Sequence, residues 1–207
     1  MRFITTKPLQ ILFPQLRWTG PTDHVYLTFD DGPHPIATPI ALQMLSERGV
    51  KATFFLVGAN VERFPELAAQ IASQGHTIAN HTYDHPFLLF RRSSFVSEQI
   101  EKTQEAIRRH TGATTRYFRP PYGLGGHAMC KAARKHGHEV VFWNVDPGDH
   151  ENRSPATIAR RFNNTLRPGS IVLVHDNENT KARIADVLRS FFEIADRKQF
   201  QFAPLPV

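Results

Sequence analysis

Two adjacent carboxylates, Asp30 and Asp31, follow an apolar run and precede Gly32 and Pro33. The run itself, 24–29, is rich in β-branched and aromatic residues and predicts a buried strand. Because side chains alternate along a strand, the two carboxylates should point in different directions. One of them could then ligate a cation while the other exchanges a proton. An Asp-Asp-Gly sequence is also common in ordinary turns, so the pair alone leaves both interpretations open.

A second chemical signal is the pair His81 and His85, which follows the short apolar stretch 77–79. The spacing predicts two imidazoles on one side of a helical turn, able to meet one cation. Two neutral imidazoles and one carboxylate form a three-ligand site that leaves positions for water, as catalytic zinc sites do. Such pairs also occur by chance on protein surfaces, but the position after a predicted strand favours a metal site.

The elements that must position these residues alternate between strand-like and helix-like stretches. Strands are predicted at 24–29, 52–57, 77–79, 117–118, 139–143 and 170–174, with a seventh at 200–202. Helices are predicted at 38–48, 65–74, 93–110, 127–136 and 181–195, and another begins at 155. This alternation predicts an α/β fold with one parallel sheet, closed or nearly closed as a barrel. The polar clusters follow the strands, where barrel enzymes place their active sites.

Composition narrows the range of partners and compartments. The 207 residues suit a single domain, and we take 1–23 as an N-terminal extension and 24–207 as the domain. The net charge of +6 comes from scattered Lys and Arg, so no nucleic-acid partner is expected. Cys130 is the only cysteine, which excludes an intrachain disulfide. Because we find no signal-peptide core and no membrane span, we expect a cytoplasmic location, with export by another route left open.

The ordered motifs resemble those of the polysaccharide deacetylase family, the NodB-homology domain of carbohydrate esterase family 4. The matching stretches are Thr28–Pro33, His81-Thr82-x-x-His85, Arg119-x-Pro121-Tyr122, Asp146-x-x-Asp149 and Leu173-x-His175. The resemblance implies a distorted (β/α)7 barrel in a single domain. It also implies metal-dependent removal of N-acetyl, occasionally O-acetyl, groups from a sugar chain containing N-acetylglucosamine, such as peptidoglycan or chitooligosaccharide.

The resemblance also assigns roles to individual residues. It implies metal ligation by Asp31, His81 and His85, a donor set that fits Zn²⁺ and also admits Co²⁺, Ni²⁺ or Mn²⁺. It further implies Asp30 as the base, Arg119 as the arginine that orients this base, and His175 as the acid. Asp146 would position its catalytic neighbours, the backbone N–H of Tyr122 would help to hold the oxyanion, and Leu173 would form a wall of the acetyl pocket. The chain departs from the family pattern at one position: the fourth motif usually ends in an aromatic residue, often Trp, where this chain has His150. Trp143 is expected in the core or at the substrate groove.

These roles also follow from the chemistry of amide hydrolysis. A divalent metal polarises the carbonyl and acidifies water, and a carboxylate beside the ligands, such as Asp30, suits the base. A histidine on the far side, such as His175, suits the acid that protonates the departing amine.

Three other interpretations stay open at this point. Two histidines and one carboxylate also form the facial triad of non-haem iron oxygenases, although those usually lie in antiparallel folds. A sugar-binding protein that has lost catalysis would keep the fold, but Asp30 and His175 are both present. A deacetylase of a small molecule such as an acetylpolyamine, or an enzyme acting on ureides, agrees with the expected cytoplasmic location.

Overall fold

The strands of this chain run parallel and build one curled sheet. The computed structural model describes residues 10–11, 13–14, 16–151 and 153–206. Within that part of the chain, the six strands are β1 (Tyr26–Asp30), β2 (Thr53–Leu56), β3 (Thr77–Asn80), β4 (Tyr117–Phe118), β5 (Glu139–Val140) and β6 (Ile171–His175). Their order in the sheet is β5-β4-β3-β2-β1-β6, and every neighbouring pair is parallel. The predicted parallel α/β sheet is confirmed.

Helices connect successive strands, as in other parallel sheets. They are α1 (Ala37–Glu47), α2 (Gly58–Arg63), α3 (Pro65–Ser73), α4 (Ser93–Thr111), α5 (His127–Lys135), α6 (Pro155–Thr165) and α7 (Ile184–Arg197). Local chemistry fixes several ends: Ser154 accepts a hydrogen bond from the Thr157 N–H at 3.3 Å, and Gly112 ends α4 with φ of 70°. The short helix α2 was not predicted, because Val57 precedes it without a side-chain cap.

Alternate residues of each strand face two different apolar clusters. Along β1, Leu27 and Phe29 pack toward the helices, together with Val172 and Val174 of β6. Their neighbours face the concave side of the sheet, where Tyr26 lies with the aromatic cluster. Because this alternation continues to the strand ends, the last inward residues are Asp30 on β1 and His175 on β6, which are register partners.

Single bridges extend the sheet at its margins. Val145, which follows β5, pairs in parallel with Val172 of the opposite edge strand. The strand predicted at 139–143 is shorter in the structure, where β5 ends at Val140. Val141 makes a single bridge with Arg17, and the chain then turns toward β6. The seventh strand predicted at 200–202 is reduced to one parallel bridge, between Phe202 and Val25. Among the described residues, no helix is both long enough and apolar enough to cross a membrane.

Candidate active site

The adjacent carboxylates at the end of β1 have different partners, as the sequence predicted. Asp30 is buried, and its Oδ1 accepts a hydrogen bond from Arg119 Nη1 at 2.6 Å. Asp31 follows the strand with φ of 79°, and its Oδ1 lies 3.0 Å from His85 Nε2 and 3.4 Å from His81 Nε2. Burial alone would raise the pKa of Asp31, but the surrounding histidines, among them the charged His175, outweigh it and hold this pKa well below its usual range. Asp31 is therefore ionised.

The two histidines come together through a loop, so the predicted helical turn is wrong. Thr82 and His85 have φ of 69° and 53°, and Asn80 Oδ1 accepts from the Thr82 N–H at 3.0 Å. This bent backbone brings the imidazole centroids of His81 and His85 to 5.0 Å. The imidazoles of His81 and His85 thus meet because the hydrogen bond to Asn80 Oδ1 supports a left-handed backbone conformation in this loop.

The donor set fits a divalent cation. His81 Nδ1 lies 2.7 Å from the Arg119 carbonyl oxygen, which can only accept, so Nδ1 carries the proton. The lone pair of neutral His81 is then on Nε2, facing Asp31, as in metal sites whose histidines are held by a carbonyl. One ligand atom from each of Asp31, His81 and His85 lies within 4.8 Å of the others. Their role as metal ligands stays a prediction.

Arg119 fills the concave side of the sheet beneath this site. Its side chain is fully buried and lies 4.0 Å over the Phe55 ring. Besides Asp30, it donates to Thr28 Oγ1 at 2.8 Å and to the Phe142 carbonyl at 3.0 Å. Burial lowers the pKa of Arg119, while the charge of Asp30 opposes that shift. The arrangement holds Asp30 in one orientation, and the orienting role expected of Arg119 stays a prediction.

His175 ends β6 and is held by a buried carboxylate. Its Nδ1 lies 2.9 Å from Asp149 Oδ1, and its backbone N–H donates to Asp149 Oδ2 at 2.7 Å. Burial opposes the charged imidazole, but attraction from Asp149, and to a lesser extent Asp31 and Asp30, outweighs it and raises the pKa of His175 to about 10. His175 therefore carries a proton, and Nε2 is left for other contacts.

Asp146 and Asp149, the two acidic residues of the fourth motif, have different partners, and the positioning role expected of Asp146 stays a prediction. Asp146 accepts a hydrogen bond from the Gly148 N–H at 2.7 Å, and burial raises its pKa. Asp149 makes both hydrogen bonds to His175, and the charge of His175 outweighs burial and holds the pKa of Asp149 well below its usual range. The loop after β5 thus directs the second acidic residue of the motif, Asp149, toward His175.

A cavity of about 330 Å³ joins these groups. It is lined by both carboxylates of β1, both histidines of the loop, His175, and the three residues expected at the substrate, Tyr122, Trp143 and Leu173. Trp143 and Leu173 are buried walls, whereas Tyr122 is 46% exposed and its ring lies 4.7 Å from that of His85. The backbone role expected of Tyr122 stays a prediction.

Sequence reasoning missed two contributors near Asp31. Asn177 lines the cavity and donates from Nδ2 to Asp31 Oδ2 at 2.6 Å. Its position two residues after His175, at the same strand end, was an available signal. Asp176 is fully buried and accepts a hydrogen bond from the Thr38 hydroxyl. A Cβ at Gly32 would lie 2.3 Å from the Asp176 carboxylate, which explains the glycine after the two aspartates.

Comparison with known proteins identifies the family of this chain. The family model described as polysaccharide deacetylase matches residues 18–141. The chain belongs to the polysaccharide deacetylase family. Within this family it is 33% identical to a chitooligosaccharide deacetylase of Azorhizobium caulinodans, over 96% of this chain and 100% of that protein. It is 37% identical to a peptidoglycan-N-acetylglucosamine deacetylase of Bacillus cereus, over 91% of this chain and 70% of that one.

Solved structures of polysaccharide deacetylases share the fold. The Bc1960 peptidoglycan N-acetylglucosamine deacetylase superposes with a TM-score of 0.89 and 35% identity, over 96% of this chain and 95% of that chain. A family 4 pseudoenzyme from Bacillus anthracis superposes with a TM-score of 0.82 and 26% identity, over 91% and 66% of the two chains. The family therefore includes a protein described as a pseudoenzyme, and activity must be argued from the residues.

Proposed function

We propose that this protein is a metal-dependent hydrolase that removes N-acetyl groups from N-acetylglucosamine units of an oligo- or polysaccharide. The observation that carries the proposal is the convergence of three groups around one cavity. These are the Asp31, His81 and His85 set, the Asp30–Arg119 pair and the His175–Asp149 pair. The relatives' names, chitooligosaccharide deacetylase and peptidoglycan-N-acetylglucosamine deacetylase, support this class of substrate.

Asp31, His81 and His85 would hold the divalent ion, with Zn²⁺ expected first and Co²⁺, Ni²⁺ or Mn²⁺ as alternatives. When bound, such an ion polarises the acetyl carbonyl and lowers the pKa of water. The fixed proton on His81 Nδ1 and the hydrogen bond from Asn177 to Asp31 would keep the three ligands oriented.

Asp30 would act as the general base. It lies beside the ligand set, with Oδ2 3.8 Å from His81 Nε2, but its Oδ1 is engaged by Arg119 at 2.6 Å. That ion pair keeps Asp30 in place and leaves Oδ2 free to take a proton from the attacking water. The two aspartates would thus divide ligation and proton transfer between them.

His175 would act as the general acid. An amine leaves the tetrahedral intermediate only after its nitrogen is protonated, and the hydrogen bond to Asp149 leaves Nε2 of His175 as the donor. The raised pKa of His175, about 10, keeps this proton available at neutral pH. Leu173, on the same strand, would form the wall against the acetyl methyl group.

Acetate release tests this proposal. The purified protein is given chitooligosaccharides, peptidoglycan fragments and an N-acetylpolyamine, with the Asp30→Asn variant and chelator-treated protein as controls. We expect acetate from at least one of the two sugar substrates, and its loss in both controls. Release from the acetylpolyamine alone would replace the substrate class by the small-molecule alternative. No release from any substrate, with metal present, would make the chain a pseudoenzyme.

A further inference from the structure

A second set of two histidines and one carboxylate lies beside the site described above. One ligand atom from each of Asp149, His150 and His175 lies within 4.8 Å of the others. The Nδ1 atoms of His175 and His150 lie 2.9 Å and 3.6 Å from Asp149 Oδ1, and the two rings meet edge to face at 5.2 Å. We propose that this cluster binds a second Zn²⁺ ion, and that zinc bound there inhibits the enzyme.

The distances suit such an ion. Zinc takes nitrogen and carboxylate oxygen at about 2.0–2.2 Å in tetrahedral geometry, which separates neighbouring ligand atoms by about 3.4 Å. The two distances from Asp149 Oδ1 to the imidazole nitrogens, 2.9 and 3.6 Å, bracket that value. Small rotations of the rings of His150 and His175 would therefore complete three ligands without movement of the backbone.

The carboxylate of this set is already held in place. Asp149 accepts hydrogen bonds from the backbone N–H groups of His150, at 2.9 Å, and of His175, at 2.7 Å. His150 Nε2 lies 3.8 Å from Glu151 Oε1, so a carboxylate stands behind the imidazole, as it does behind many zinc-bound histidines. Both histidines line the cavity, with 20% and 13% of their side chains exposed, so an ion can reach them from solvent.

His150 is the residue that makes the set complete. Asp149 and His175 already serve the proposed proton transfer, and two donors alone bind zinc weakly. The aromatic residue that usually ends this motif would offer no lone pair, whereas the imidazole of His150 supplies the third donor. A second zinc site is therefore a property of this chain, carried by one side chain.

Binding and inhibition are linked through one proton. Zinc on Nδ1 takes the place of the proton that His175 shares with Asp149, and that proton is released to solvent. The ion then separates the acid from its positioning carboxylate. The one remaining proton, on Nε2, is held more tightly by a zinc-bound imidazole than by an imidazolium, so His175 becomes a weaker acid. The inhibition rests on the function proposed above, because it acts through His175 as the acid. The binding itself does not rest on that function.

Zinc stoichiometry tests the binding. Wild-type protein, His150→Phe, Asp31→Ala and a control, His127→Phe, are dialysed against graded Zn²⁺, and bound metal is measured by mass spectrometry. The control replaces a surface histidine that is exposed at the start of α5. We expect two equivalents in the wild type and control, with loss of the weaker one in His150→Phe and of the stronger one in Asp31→Ala. Melting curves verify that each variant is folded.

Either of two results would overturn the site: a single equivalent in the wild type at every zinc concentration, or retention of the weaker equivalent by folded His150→Phe. Acetate release, scaled to each variant's own rate at low zinc, tests the inhibition. We expect the zinc concentration for half-inhibition to rise at least about tenfold in His150→Phe and to stay unchanged in His127→Phe. Equal inhibition of wild type and His150→Phe would overturn this role. If no protein releases acetate, the proposed function fails while dialysis still decides the site.

Discussion

The two clusters around the cavity contain the same donors, one aspartate and two histidines, but hydrogen bonding prepares them for different chemistry. In the first cluster, Asp31 is partly exposed and accepts a side-chain hydrogen bond from Asn177. The proton of His81 is held by a carbonyl on the side away from Asp31, so a lone pair faces the carboxylate. Facing lone pairs repel each other unless a cation lies between them.

In the second cluster, the proton lies between the partners. Asp149 is fully buried and held by two backbone N–H groups, and it accepts the Nδ1 proton of His175. A buried carboxylate with this support stabilises an imidazolium and so prepares an acid. The comparison shows that the partner of the second imidazole nitrogen, more than the residue types, decides whether a lone pair or a proton faces the carboxylate.

The largest effect is expected where Asp30 and Asp31 are exchanged for asparagine. Asp31→Asn removes the ligand charge and should lose both metal and activity. Asp30→Asn should keep the metal and lose activity by on the order of 10²–10⁴-fold, as for a general base. Metal content and acetate release of the two variants measure this division. Equal loss of metal in both variants would contradict it.

Removal of the acid should distinguish substrates by their leaving group. An amine must be protonated to leave, whereas 4-nitrophenolate leaves readily without a proton. We therefore expect His175→Ala to lower kcat/KM for an N-acetyl sugar by about 10²–10⁴-fold and to spare 4-nitrophenyl acetate far better. The ratio of the two losses is the measurement. Equal losses would show that His175 has another role.

A smaller effect is expected from the carboxylate behind the acid. Asp149→Asn should reduce hydrolysis of the amide substrate by about 10²–10³-fold. The asparagine either points its N–H at His175, which needs an acceptor there, or points its oxygen there without the negative charge that stabilises the imidazolium. It should also move the alkaline limb of the pH profile to lower pH, since the attraction that raises the pKa of His175 is lost. Asp146→Asn is the matched control, with a loss below about tenfold. The reverse order of losses would support the positioning role expected of Asp146.

The sequence predicted best the parts whose pattern is local. Strands β1, β2 and β6 are apolar on both faces, so their runs stand out in the sequence. The end of β5 depends on Arg17, more than a hundred residues away in the chain, which no local pattern reveals. The predicted metal ligands lie in short motifs, which a local pattern reveals. Asp146 and Asp149 follow the same strand three residues apart, and only the loop's path decides which one reaches His175.

Two further histidines extend the comparison, because burial is not offset by a carboxylate around them. His76 and His138 are 7% and 6% exposed. Burial, with a smaller effect of positive charge from Lys51 and His136 respectively, lowers the pKa of both to about 4. The pKa of His175 moves the other way, to about 10, because its surroundings are acidic. A buried histidine is thus neutral where no carboxylate offsets burial, as at His76 and His138, and charged where carboxylates surround it, as at His175.

These two histidines should therefore lower the stability as pH falls from about 6.5 to about 4. In this window the unfolded chain protonates both histidines while the folded chain keeps them neutral, so the unfolded state binds more protons. Each can contribute up to about 3 kcal/mol, present above pH 6.5 and lost as pH falls toward 4. His175 adds no slope there, since its raised pKa keeps it protonated in both states below pH 6 or so. Urea unfolding of chelator-treated protein at several pH values measures the slope without a contribution from metal loss. His76→Gln with His138→Gln should flatten it, whereas exposed His127→Gln should not, and an unchanged slope in the double variant would refute this explanation.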